Sequence, residues 1–378
     1  MTEFQVVCYH TFVSALKKYN LGWALLKLWM CYEVVMVHAW NAGTSPNGSL
    51  SVYRCFVREF RDFAVPVFML ITFFLSAKKF AVNDGMWLKD RFVRLLTPFA
   101  FWSVLAFVTW RLLTPFFPDF AIDPTTGAFW TPSCGQDPEP IPLEYLGLQV
   151  LGTTKTLGSQ MWFQAVLVIL SAFFAGFFRL VCPRRVAVVL GIVFLWGIAM
   201  DYSGLNRWLF EGYRYEVCNP LGRIFPMMPY AAAGLLLGMR SEQFEGFSMP
   251  RRMFLVTLGF GLTAFLLNFD VFVTPPGFFY RGLKMLFVAF GLVVGFRFLP
   301  LECLPVTLRQ GLVWASRYSM GVYFVHIYVG RLLEVVVFPH ISVVPRSFSG
   351  GCVVFLVSFA MCVLIARIPN RWMHSLVV

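Results

Sequence analysis

Charge is scarce in this chain. Of 378 residues only 13% are Asp, Glu, Lys or Arg, against about 25% in a soluble protein. So little charge cannot cover a water-facing surface, but it suffices where lipid is the solvent. No CxxC pair occurs among the nine cysteines. That argues against a zinc ribbon, a thiol redox motif and a disulfide scaffold, and no metal is expected. The first 20 residues lack the ordered basic, apolar and small-residue regions of a signal peptide. The first spanning helix is therefore expected to act as an uncleaved insertion signal. There is no repeat of clear period and no long low-complexity tract, and no second soluble domain is expected at either end.

What fills the space is apolar. Hydrophobic residues make up 58% and aromatics 18%, including 43 Phe and 12 Trp. Phe suits the hydrocarbon, while Trp and Tyr suit the headgroup belts. Apolar runs fall at roughly 21–41, 62–78, 93–113, 161–181, 186–202, 222–239, 253–273, 280–298, 312–336 and 350–367. Each approaches the ~20 residues that a helix needs to cross a bilayer. The expectation is an all-α, polytopic bundle of about ten transmembrane helices. Residues 1–20 are expected to form a cytoplasmic interfacial helix and 21–367 the transmembrane domain, with a Pro- and Gly-rich external loop at 114–160. Residues 368–378 are expected to form a cytoplasmic tail.

The net charge of +12 raises the question of nucleic acid. The basic residues lie mostly between apolar runs, however, so membrane topology is the simpler cause and no nucleic-acid partner is expected. With a cytoplasmic N-terminus, the inner segments collect most of the Lys and Arg. The 114–160 loop then carries Asp119, Asp123, Asp137, Glu139 and Glu144 against a single Lys155. Arg54, Arg58, Arg61, Arg207 and Arg214 run against this bias. Cys134 and Cys218 would both lie outside, where they could pair.

Ionisable residues inside a spanning helix cost about 2.5–3.5 kcal/mol each on insertion scales and need a reason. The first helix, KLWMCYEVVMVHAW, carries Lys27, Glu33 and His38. Lys27 and His38 are eleven apart, which returns them to nearly one face about 16 Å along the axis. Glu33 lies on another face, where it is expected to bond a neighbouring helix. The plain reading is that Lys27 snorkels and His38 bonds a carbonyl. The functional reading makes His38 a general base, a role suited to an imidazole that titrates near neutral pH. In the ninth run Ser319, Tyr323 and His326 share one face, continued by Gly330. This stripe should face the bundle interior, either for interhelical bonding or for a substrate. Arg331, off the stripe, is expected to snorkel. Lys78, Lys79, Lys89, Arg91 and Arg94 form a basic cytoplasmic stretch. They anchor the topology and could also clamp phosphates. Arg223 opens the sixth run ahead of Pro226, Pro229 and the small residues of AAAGLLLG, which offer tight helix contact.

In this order the motifs resemble the membrane acyltransferase-3 family. That family carries a basic residue and then, after ten others, a His in its first helix, as Lys27 and His38 do here. Its P-x-F-F-x-x-S-G-like run resembles PVFMLITFF at 66–74, and its basic, aromatic third helix resembles RFVRLLTPFAFW. The Trp-Phe pair opening its fourth helix is similar to Met161-Trp162-Phe163. An Arg before an F-x-x-G-like helix is similar to Arg223 and Gly234, and a late Y-x-x-H to Tyr323 and His326. The departures are Lys27 in place of Arg, which loses bidentate pairing, and Thr72-Phe73 in place of Ser-Gly. The resemblance implies an acyltransferase of the plasma (inner) membrane. The donor would be cytosolic acyl-CoA, acetyl-CoA foremost, and the acceptor a hydroxyl or amine of a cell-envelope glycan or lipid-linked sugar. It implies catalytic roles for His38 and Glu33. The donor would be bound by Lys27, Lys78, Lys79, Lys89, Arg91 and Arg94. The acceptor would be bound by Trp162, Arg223, Ser319, Tyr323 and His326. Membrane lipids are expected partners, and a homo-oligomer is compatible with the sequence. The rival class is a transporter or flippase for a glycan, lipid or small metabolite. Neither an inverted repeat nor paired broken helices supports it.

Overall fold

The computed structural model describes residues 20–39, 63–82, 85–113, 162–202, 220–268, 283–340 and 348–377. The expected interfacial helix, the 114–160 loop, Cys134 and Cys218 lie outside these residues. Among these residues twelve α-helices follow in chain order: α1 (Leu21–Ala39), α2 (Ala64–Val82), α3 (Gly85–Leu113), α4 (Trp162–Leu180), α5 (Val186–Tyr202), α6 (Pro220–Met239), α7 (Met249–Asn268), α8 (Leu283–Phe298), α9 (Val306–Ser316), α10 (Ser319–Leu332), α11 (Phe348–Arg367) and α12 (Arg371–Ser375). No strand occurs among the described residues. Among the described residues five segments are long and apolar enough to cross a membrane: α2, α4, α7, α8 with the turn after it, and α11. The remaining apolar runs are helical as well. A fully hydrogen-bonded helix is what a backbone in hydrocarbon requires.

The core is formed by α1, α2, α4, α6, α8 and α10, whose buried faces merge in one apolar cluster. Helices α2 and α6 pack closely along their length. A Cβ on Gly234 would strike the Leu70 carbonyl, and one on Gly238 the Phe74 carbonyl. The small residues of AAAGLLLG thus let two backbones touch, as helix association in lipid favours. Gly238→Leu is expected to destabilise the bundle by about 1–3 kcal/mol, the usual range for overpacking. A thermal melt in detergent measures this, and an unchanged midpoint would refute the contact. Helix α1 begins on Asn20, whose Oδ1 accepts the Trp23 backbone N–H at 2.9 Å, a standard N-cap arrangement. The Asn20 amide donates to Arg297 O at 2.9 Å, and the Trp23 indole N–H donates to Val293 O at 3.1 Å. These bonds fix the start of α1 against the end of α8.

Three expectations change. The ninth apolar run is two helices, because α9 ends at Ser316 and α10 starts at Ser319. The Ser316 hydroxyl donates to Val313 O and the Ser319 hydroxyl to Ser316 O, both at 3.0 Å. Hydroxyls that bond back to i−3 carbonyls compete with the helical ladder and bend the chain there. Arg331 does not snorkel. It is buried at 7% exposure and pairs with Glu334 one turn on. Glu33 is also buried, but its Oε1 accepts the indole N–H of Trp29 on its own helix at 2.8 Å. The C-terminal residues fold back onto the bundle. Leu376 and Val377 are buried, and Leu376 O accepts the Trp102 indole N–H at 3.2 Å.

Candidate functional site

The break between α9 and α10 opens one side of a cavity of about 490 Å³. Its walls come from α1, α2, α3, α4, α9 and α10. Four cations line it: Lys27, Arg91, Arg94 and Arg317. Among the described residues no Asp or Glu lines it. The rest of the wall mixes hydroxyls (Thr72, Ser76, Ser316, Ser319) with aromatics such as Trp87 and Phe163. Four positive charges around a space this size favour negatively charged groups within it.

Arg91 is the best fixed of the four and is buried. Its Nε donates to Ser171 Oγ on α4 at 3.1 Å and its Nη1 to Ser76 Oγ on α2 at 2.6 Å. Both serines pass their own hydroxyl hydrogens to carbonyls on their helices, Thr72 O and Leu167 O, each at 2.7 Å. Their lone pairs are thereby left for the guanidinium. Phe73, Phe80 and Trp87 surround the cation with ring centroids at 5.4–5.5 Å, a favourable cation–π arrangement. The Nη2 group has no hydrogen-bond partner among the described residues. A buried, rigidly held guanidinium in the wall of the cavity places a fixed positive charge there.

Of the expected donor-binding residues, Lys27, Arg91 and Arg94 meet at this cavity, and Lys78, Lys79 and Lys89 do not line it. Lys78 is exposed and donates to Glu242 Oε1 at 2.8 Å. Hydrogen bonding and charge from Lys78 hold the Glu242 carboxyl below its ordinary range. The small stabilisation this pair adds is present above the ordinary carboxyl range and is lost as pH falls through the lowered value. Lys78→Ala is expected to leave the apparent affinity for a donor within about twofold, as an exposed ion pair contributes little. Donor titrations of the purified variant would test this. Arg317 and the two serines that hold Arg91 were not singled out in the sequence. Arg317 stands two residues before the Ser319 stripe, a signal that was readable. The serines come from distant helices and give none.

The stripe on α10 runs from the cavity into the bundle. Ser319 and Tyr323 line the cavity, and His326 follows one turn further. Helix α1 lies alongside: the Cys31 thiol donates to Ser319 O at 3.3 Å. Seven residues on in both helices, His38 meets His326 with ring centroids 5.2 Å apart. His326 is buried and His38 is exposed. Tyr323 is 6.1 Å from His326 and 5.6 Å from Phe163, centroid to centroid. Trp162 adjoins Phe163, and Arg223 stands over the Trp162 ring at 4.0 Å. Trp162, Arg223, Tyr323, His326 and His38 are therefore brought into one aromatic chain of contacts beyond the cavity. Glu33 stands apart from it, on another face of α1.

A family model described as an acyltransferase domain matches residues 20–367, nearly the whole chain. The chain belongs to the acyltransferase-3 family. No curated protein and no solved structure matches the chain. Its apolar helices and its membership of the acyltransferase-3 family make it a membrane acyltransferase.

Proposed function

We propose that this chain moves an acyl group, acetyl foremost, from cytosolic acyl-CoA to a hydroxyl or amine of a cell-envelope glycan or lipid-linked sugar, with His38 as the proton acceptor. The observation that carries this reading is a cavity lined, among the described residues, by four cations and no carboxylate, one helical turn from a pair of imidazoles. The cations face the cytosol by the positive-inside rule, and the protein spans the plasma membrane with about ten helices. Arg91, Arg94, Lys27 and Arg317 suit the phosphates of the donor. Tyr323 ends the cavity, so the thioester approaches His38 past its ring. The exposed side of His38, with Trp162 and Arg223 nearby, suits the acceptor.

In the reaction the acceptor O–H or N–H gives its proton to the imidazole as its heteroatom bonds to the thioester carbonyl carbon. The C–S bond then breaks, and the leaving thiolate takes up the proton held by the imidazolium. The two substrates reach the imidazole from opposite ends, which separates a cytosolic donor from an envelope acceptor. The test is transfer of labelled acetyl from acetyl-CoA to envelope glycan by the purified protein in vesicles. Labelled product supports the reading. Donor-independent, potential-driven flux of a solute with no acyl transfer would overturn it in favour of transport.

A further inference from the structure

Two imidazoles stand together here, and their hydrogen bonding makes them unequal. The Nδ1 atom of His326 lies 3.1 Å from Val322 O and 2.7 Å from Tyr323 O. Both neighbours are carbonyl oxygens, which only accept, so Nδ1 must carry the proton. The lone pair is then on Nε2. That atom is buried and has no hydrogen-bond partner among the described residues. A proton on Nε2 would leave a buried orphan donor, and a bare lone pair leaves an acceptor awaiting one. The ring facing it is His38, tilted by 44° with centroids 5.2 Å apart. Between facing nitrogens this separation spans one N–H···N bond of about 3 Å, reached by turning the His38 ring about its torsion.

We propose that His326 is the positioning residue for His38: its Nε2 accepts the His38 ring N–H and so holds the lone pair of the other His38 nitrogen toward the acceptor. This rests on the acyl-transfer reading above. His326 would do for His38 what an orienting carboxylate does in a serine-hydrolase triad, selecting one tautomer and one ring orientation. A neutral acceptor suits the interior of a membrane bundle, where a carboxylate would be costly to bury. The proton acceptor itself remains His38, the exposed member of the pair, and His326 touches no substrate.

Two substitutions separate this role from a packing role. His326→Asn places an amide N–H near the Nδ1 position, keeps the bonds to Val322 and Tyr323, and removes the acceptor. His326→Gln places an amide oxygen near the Nε2 position and keeps the acceptor. With the full-length protein, kcat and KM for acetyl-CoA are measured at saturating acceptor. The Asn variant is expected to lose about two to four decades in kcat with KM unchanged. The Gln variant is expected to stay within about tenfold of the parent, because an acceptor still faces His38. Binding of acetyl-CoA by both variants shows that the bundle is folded. Normal turnover by His326→Asn would overturn the assignment. So would a Gln variant as slow as the Asn variant, since His326 would then have to titrate or only pack. If the parent protein transfers no acyl group, the acyl-transfer reading itself fails. If His38→Ala is inactive and His326→Asn is normal, only the positioning role fails.

Discussion

His38→Ala is expected to lower acyl transfer by about two to four decades, the contribution of a positioned general base. The loss should fall on kcat. Lys27, one of the four cations proposed to hold the donor, lies about 16 Å from position 38 along the axis of α1, so the apparent affinity for acetyl-CoA should not move. Little stability is at stake, because His38 is exposed in the last turn of α1 and truncating it empties no core. Expression and the thermal midpoint serve as the control. Acyl transfer into envelope glycan is then compared in vesicles at equal protein. A variant that accumulates normally and turns over at a near-parental rate would remove His38 from the chemistry, and the positioning role of His326 with it.

How much of this was readable beforehand depends on which physical effect decided each feature. Helix placement was readable because lipid accepts little but long apolar helices, and the described part of each apolar run is helical over nearly all its length. The α10 stripe was readable too, since Ser319, Tyr323 and His326 keep helical spacing on any straight helix. The pairing of that stripe with α1 was not. It depends on the register in which Cys31 meets Ser319, a tertiary fact that neither helix records. The break at Ser316 was hidden because serine hydroxyls disturb a helix only when they turn back onto its carbonyls. Among five basic residues that looked alike in the sequence, burial and two serines from other helices single out Arg91. Phe73, where the family run has Gly, fills space against Phe174 and Phe80 and leaves Thr72 and Ser76 to line the cavity.

Arg91 therefore carries the second large expectation, and the choice of substitute decides what is learned. Alanine would leave a void as well as remove a charge, so a loss of activity could follow from lost packing. Methionine fills most of the same volume. Exchanging a buried charge for a well-packed apolar side chain is often neutral or stabilising. Here both serines stay satisfied through their bonds to Thr72 O and Leu167 O. Arg91→Met should therefore fold with an unchanged or higher thermal midpoint. Its donor affinity should fall, because one of the cations in the cavity wall is gone. A hydrogen bond to a charged group contributes about 1.5–3 kcal/mol, so KM for acetyl-CoA should rise by about ten- to a hundredfold. Dephospho-CoA thioesters provide a further comparison: if Arg91 faces the ribose phosphate, parent and variant should differ less on them than on acetyl-CoA. Arg91→Lys should rescue only in part, since a single ammonium nitrogen cannot reproduce the planar fork whose Nε and Nη1 reach Ser171 and Ser76. A Met variant that melts normally and binds acetyl-CoA as tightly as the parent would make Arg91 a packing element, and the cationic cavity would no longer be the donor site.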